Sequence, residues 1–272
     1  MAHAIEITDF TFRYGKEAPE ALSHMSLTIP AGSVCALLGP TNGGKTTLLH
    51  ALSGILASHH RDSVSSGTIR IGDQTYAPLP PNVLFPAVGL TIQDAYSQVS
   101  GLRETVFDEV LLTLETLGTP LEEARKTVEG LLLSLGLSHL ALRKPSTLSG
   151  GELQRVAMAT ILVAQPAVLL MDEPCNSLDG TAQHRLRSVV RALKQRTTVV
   201  IADYQLEFVL GIADQFVVLD SGRIVFSGNR RSLLERLADF SHLLPTDDWV
   251  KTRAAVKKST YRRRIEKVLG IQ

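Results

Sequence analysis

The sequence predicts an α/β fold built on a mostly parallel sheet, and three observations carry that prediction. An apolar strand, Ser33-Val34-Cys35-Ala36-Leu37-Leu38, runs straight into a glycine loop that opens a helix. A second apolar run, Val168 to Met171, ends on two adjacent acids, Asp172 and Glu173. Strand-like and helix-like patterns alternate through the second half, as in a parallel sheet with helical crossovers.

Each element follows in order. Ile5 and Ile7 alternate with polar neighbours and turn signals fall between Gly15 and Pro19, so residues 4 to 37 read as short strands. The glycine loop feeds a helix over 44 to 55 that ends near Gly54. A polar loop from Ser58 to Ser66 leads to a hairpin strand over Gly67 to Gly72, and the strand Val88 to Ile92 delivers Gln93. From about 103 to 136 the pattern is helical, with Val106, Val110, Leu111 and Leu114 at three-to-four spacing and a second run from Leu121 to Leu135. Then come a helix to about 164, a buried strand Ala167 to Met171, a helix 180 to 194, a strand Thr197 to Ala202 and a hairpin from Phe216 to Phe226. The expected division is a main domain over 1–240, with an all-helical subdomain inserted at about 97–150, and a basic extension over 241–272.

The 272 residues are 44% hydrophobic and 20% charged, enough for a sizeable core in one or two domains. A net charge of +1 gives no global argument for a nucleic-acid partner, and none is expected. The basic excess is local: eight Lys and Arg between Lys251 and Lys267 form either a solvated helix, with Tyr261, Ile265, Val268 and Leu269 on the core, or a contact for anionic lipid or a partner's tail. Cys35 and Cys175 have neither disulfide nor metal spacing, which suits a reducing cytoplasm. No apolar run approaches ~20 residues, and MAHAIEITDF lacks a signal-peptide core, so the expectation is a chain that does not itself cross a membrane. His59-His60 with Asp62 reads as a solvated loop rather than a metal cluster.

Three stretches carry chemistry. Gly39-Pro40-Thr41-Asn42-Gly43-Gly44-Lys45-Thr46 has the spacing GxxxxGK[ST], which arises by chance in about 1% of chains this long. Backbone N–H groups of Gly43 to Thr46 are expected to ring a phosphate at a helix N-terminus, with glycine avoiding a Cβ that would crowd it. Lys45 would neutralise phosphate charge, Thr46 offers a hydroxyl to Mg²⁺, and Thr47 is a further phosphate donor. The sheet would hold Asp172 for Mg²⁺ and Glu173 as the general base for an attacking water, both beside the loop. Ser149, Gly150 and Gly151 open another helix within Leu148-Ser149-Gly150-Gly151-Glu152, a second anion site on the same dipole argument. That pentapeptide arises by chance in well under about 0.1% of chains.

Together these motifs make the chain resemble an ABC-type ATPase over about residues 4 to 235. The resemblance implies a P-loop NTPase core of the RecA-like kind, an N-terminal antiparallel β subdomain, and ATP with Mg²⁺ as ligands. It implies that Gln93 contacts Mg²⁺ and water before the helical insert, that Tyr14 stacks on adenine, and that Ser149 to Glu152 serve the ATP on a second ATPase subunit. Asp179, in Asn176-Ser177-Leu178-Asp179, then matches the loop that crosses the dimer interface. Where the family usually has Thr-His-Asp this chain has Asp203-Tyr204-Gln205, so Tyr204 occupies the place of the γ-phosphate histidine. A phenol donates a hydrogen bond but does not readily become cationic, which points to a slowed site.

Val88 to Gln98, followed by Gly101 to Val110, looks like the ATPase component of energy-coupling-factor and cobalt-nickel importers, where a Gln placed like Gln98 and a Thr-Val-x-x-Asp/Glu-Val helix are typical. Ile92 and Asp94-Ala95 depart from that pattern. The resemblance implies uptake of a vitamin or transition-metal ion and location at the cytoplasmic face of the membrane. The implied partners are a transmembrane T component and a small substrate-binding membrane protein. The alternative is the ATPase of an exporter or lipid transporter.

Overall fold

The structure, a computed structural model, describes residues 1–56, 62–76, 86–92, 94–240 and 243. Gln93, His59, His60 and the basic segment 245–272 lie outside the described residues.

Among the described residues, ten strands form two sheets. β1 (Ile5–Arg13), β2 (Glu20–Ile29), β4 (Val64–Ile71) and β5 (Gln74–Tyr76) make an antiparallel sheet in the order β2-β1-β4-β5. β3 (Val34–Leu38), β6 (Val88–Thr91), β7 (Val168–Asp172), β8 (Thr198–Ala202), β9 (Gln215–Asp220) and β10 (Arg223–Gly228) make the second, in the order β10-β9-β3-β8-β7-β6. Its first five strands by pairing from β6 to β9 run parallel, and only β10 is antiparallel. The helices are α1 (Lys45–Ser53), α2 (Ala95–Gln98), α3 (Val106–Thr116), α4 (Leu121–Ser134), α5 (Gly150–Leu162), α6 (Gly180–Leu193), α7 (Leu206–Leu210) and α8 (Arg230–Glu235).

The parallel strands are buried on both faces, which is why they read as unbroken apolar runs. Val34, Ala36 and Leu38 of β3 join Val199 and Ile201 of β8 in one core with α3, α4, α5 and α6. Cys35, Leu37, Val200 and Ala202 point the other way, into a second core with α1 and the antiparallel sheet. The β1 alternation changes parity midway: Ile5 and Ile7 are buried, then Phe10 and Phe12. Asp9 stands at φ 48 where the register with β2 and β4 shifts, the local kink of a β-bulge. Opposite it, Gly67 has φ +79, and a Cβ there would lie 2.2 Å from the Asp9 carbonyl oxygen.

Val106, Val110, Leu111 and Leu114 on α3, with Ala124, Val128 and Leu132 on α4, are all buried against α5 in the first core. α1 stops at Gly54, left-handed at φ 77, as the sequence predicts for a glycine past the last turn. The C-terminal ends of β3, β7, β8 and β9 therefore converge on one edge, where a doubly covered parallel sheet offers its crevice. Among the described residues no helix is long and apolar enough to cross a membrane.

Candidate functional site

The glycine loop leaves β3 and turns into α1 through three left-handed residues, Gly39 (φ 141), Asn42 (φ 63) and Gly44 (φ 100). The reason for the glycines is packing against protein. A Cβ on Gly39 would stand 2.1 Å from the Leu219 carbonyl oxygen, and one on Gly44 3.2 Å from the Gly222 Cα. The Gly222 N–H donates to the Gly43 carbonyl at 3.1 Å, so the β9–β10 hairpin buttresses the loop from below. This packing is a second demand on the glycines, beside the expected close approach of a phosphate. α1 begins without a side-chain cap and without an acid in its first turn, leaving its first N–H groups for an external acceptor. Thr41, Asn42 and Thr46 are exposed on the rim of the loop, whereas Gly43 is buried.

Lys45 is only 8% exposed, and its ammonium donates to the carbonyls of Gly39 and Pro40, both at 2.9 Å. Burial pulls its pKa below the ordinary lysine value, opposed by the negative charges of Glu173, Asp172 and Asp203. Asp172, 6% exposed at the end of β7, has its pKa raised by burial and held back by the Thr46 hydroxyl, His50 and Lys45. The donor set here is all oxygen, a Thr46 hydroxyl on a buried carboxylate, which fits a hard divalent cation.

Glu173 leaves the strand in the left-handed region, φ 45, a costly conformation for a residue with a side chain. Its N–H donates to the Ala202 carbonyl at 2.8 Å. Burial first, then the charge of Asp172, raises its pKa, while Lys45 opposes the rise. A carboxylate made more basic beside a lysine suits a group that takes a proton from water.

Ser149 caps α5, and both its N–H and its hydroxyl donate to Glu152 at 2.8 Å. These bonds hold the Glu152 carboxyl below its usual pKa. A Cβ on Gly150 would meet nothing within 4 Å, but one on Gly151 would lie 2.6 Å from the Ser177 carbonyl oxygen. Asp179 caps α6 by accepting from the Ala182 N–H at 2.7 Å. The Tyr204 hydroxyl donates to Asn176 Oδ1 at 3.4 Å. Tyr14 packs edge-on to Phe12, ring centroids 5.0 Å apart, and its hydroxyl shares a hydrogen bond of 3.0 Å with Thr47 Oγ1. No hydrogen bond or ion pair among the described residues joins Ser149–Glu152 to the glycine loop.

Lys45, Thr46, Asp172 and Glu173 are thus brought together, and Tyr204 reaches the segment that carries Asp179. Two residues to which sequence reasoning gave no role, Gln154 and Asp203, join them. Gln154, buried on α5, donates to the carbonyls of Glu173 (3.4 Å) and Pro174 (3.3 Å), tying α5 to the acidic turn. Asp203 is 1% exposed with its pKa pushed up to about 6 by burial, and its neighbour Cys175 is equally buried. The signal for Asp203 was present: an apolar strand ending on an acid, the same form as Val168 to Asp172. Gln98 also bridges, accepting from the Ile92 N–H and donating to the Ala157 carbonyl, both at 3.1 Å.

Comparison with known proteins gives concordant findings. Residues 22–176 match the family model described as ABC transporter. The chain is 38% identical over 227 residues to the sulfate/thiosulfate import ATP-binding protein CysA of Mycobacterium tuberculosis, covering 82% of this chain and 61% of that protein. The chain therefore spans about three fifths of the length of that relative. It is 33% identical over 270 residues to the energy-coupling factor transporter ATP-binding protein EcfA2 of Lactiplantibacillus plantarum, covering 92% of this chain and 89% of the other. Among solved structures it is similar to CbiO1 of Clostridium perfringens, described as part of the ABC transporter complex CbiONQ, with TM-score 0.74 and 26% identity over 93% of this chain and 100% of that one.

Proposed function

Since the chain belongs to the ABC transporter family as one of its ATP-binding subunits, we propose that it binds and hydrolyses ATP to power an importer of the energy-coupling-factor type for a vitamin or transition-metal ion. The observation that carries this reading is the junction of Lys45, Asp172 and Glu173 at the sheet edge. The free N–H groups of α1 and the Lys45 ammonium bind and neutralise the β- and γ-phosphates. Thr46 and Asp172 would hold Mg²⁺, with Gln93 assigned there by its place in the sequence; the ion supplies charge neutralisation for phosphoryl transfer. Glu173 orients the attacking water and takes its proton. Tyr14 covers the nucleotide base, and Tyr204 replaces a cation by a neutral donor at the far end of the phosphates. Ser149 to Gly151 and Asp179 serve the nucleotide of a second ATPase subunit, a copy of this chain or a different one, so the two subunits close around two ATP molecules and drive membrane partners.

The energy-coupling-factor reading is supported by length rather than identity: alignment with EcfA2 spans 89% of that protein at 33% identity, against 61% for CysA at 38%. A pull-down of the full chain from detergent-solubilised membranes, with partners identified by mass, tests it. The expected partners are a polytopic T component and a small substrate-binding membrane protein at the cytoplasmic face. Recovery of an exporter-type permease instead would overturn the importer assignment.

A further inference from the structure

The turn from Glu173 to Asp179 connects the acid that activates water to the loop assigned to the subunit interface, and it is held from several sides. Gln154 grips it from α5, and the Gln183 side chain donates to the Leu178 carbonyl at 3.2 Å and to Gln205 Oε1 at 3.0 Å. The Tyr204 hydroxyl reaches Asn176. At the centre lies Cys175 against Asp203. Both are 1% exposed, and the thiol and backbone N–H of Cys175 face the Asp203 carboxylate. Asp203 Oδ1 accepts from the Gln205 N–H at 2.8 Å, fixing the turn that aims Tyr204, while Oδ2 is buried with no partner at full hydrogen-bond geometry. The charges near this pair are Glu173 and Lys45 on one side and Arg187 of α6 on the other. A carboxylate oxygen buried this deeply without a full hydrogen bond is expensive, so the position of Oδ2 requires a function or a compensating contact.

We propose that Asp203 and Cys175 form a positioning joint: the buried carboxylate holds the Glu173–Asp179 turn and the Tyr204 turn in one register, so that movement of the interface loop is transmitted to Glu173. Nothing in the family match assigns either residue a role, and the proposal rests on the reading of the chain as an ATPase. Oδ2 is the acceptor on which Cys175 settles when the turn tightens. Removing the donor of that contact loosens Glu173 without touching the phosphate-binding loop, so turnover falls while nucleotide affinity stays.

The test uses the full chain. Cys175→Ala and Asp203→Asn are each expected to lower kcat for ATP by about tenfold or more with KM within about twofold, the scale of one charge-assisted hydrogen bond. Cys175→Ser, which restores a donor, is expected to recover most of the loss. Hydrogen exchange gives an arm independent of turnover: the amides of Glu173, Asn176 and Leu178, which donate within this turn and to β8, exchange faster in both variants while the β7 core does not. An inactive wild type would sink the ATPase reading and leave the exchange arm to decide on the joint. Unchanged exchange in Asp203→Asn, or a kcat loss equal in Cys175→Ala and Cys175→Ser, would overturn the joint; should Cys175→Ala fail to fold, Asp203→Asn and Cys175→Ser carry the same comparison.

Discussion

The helices at the two candidate anion sites, α1 and α5, start differently. α1 opens at Gly44 with no side-chain cap and no acid in its first turn, and with the Lys45 ammonium folded beneath it. α5 opens at Ser149 with its own carboxylate, Glu152, already accepting from Ser149. Both ends carry the same dipole. On the proposed reading one is a finished phosphate site, whereas the other is capped by its own chain and would be completed only by an anion brought from outside. The open space over Gly150, where a Cβ would meet nothing, is the side from which that anion would come.

The largest expected effect breaks the α1 side alone. Lys45→Ala removes the only lysine folded into the loop, and ATP affinity of the isolated chain should fall about a hundredfold, measured with a fluorescent nucleotide. Wild-type affinity in that variant would show that α1 is not the finished site. Tyr204→His comes next: a charge-assisted contact is worth about 1.5 to 3 kcal/mol, so steady-state turnover should rise about tenfold to a hundredfold if the histidine acts in the transition state. No gain would sink the idea of a slowed site. Gly150→Asp sharpens the contrast, because the new side chain has room in the monomer but carries negative charge onto the open face of α5. ATP binding by the monomer should be unchanged while ATP-dependent dimer formation, read by light scattering, drops about tenfold.

Much of this was legible in the sequence, because the informative signals are local. The strand-loop-helix at Val34 to Ser53, the helical spacing of Val106 to Leu114 and the acids after Leu170-Met171 each depend on neighbours within about one turn or one strand. What escaped depends on distant contacts. The bulge at Asp9 appears only as a change of parity between Ile7 and Phe10, and it is set by a glycine in β4. The buttress under Gly39 comes from the Leu219 carbonyl, about two thirds of the chain away, and no residue type announces a carbonyl. Gln154 reaches the Glu173 turn from α5 and Asp203 from the end of β8, contacts set by the fold rather than by neighbours in sequence.

The smallest effect probes the self-cap directly. The Glu152 pKa is lowered from its ordinary value by the Ser149 N–H and then by the Ser149 hydroxyl. A folded pKa below the unfolded one means that the carboxylate contributes stability above the unfolded value, near 4.5, and loses it as pH falls through the folded one. Glu152→Ala should therefore lower the unfolding temperature at pH 7 by about 1 to 3 °C, the size expected of a helix cap in a chain this long. The gap between variant and wild type should close as pH falls from 4.5 through the lowered folded value, where the wild type loses the same contribution. The same variant frees the start of α5 for an outside anion, so ATP-driven assembly with a second subunit should strengthen even as the monomer weakens. Calorimetry across pH and scattering at pH 7 read the two effects separately, and a variant that weakens both would mean that Glu152 supports the partner's nucleotide rather than competing with it.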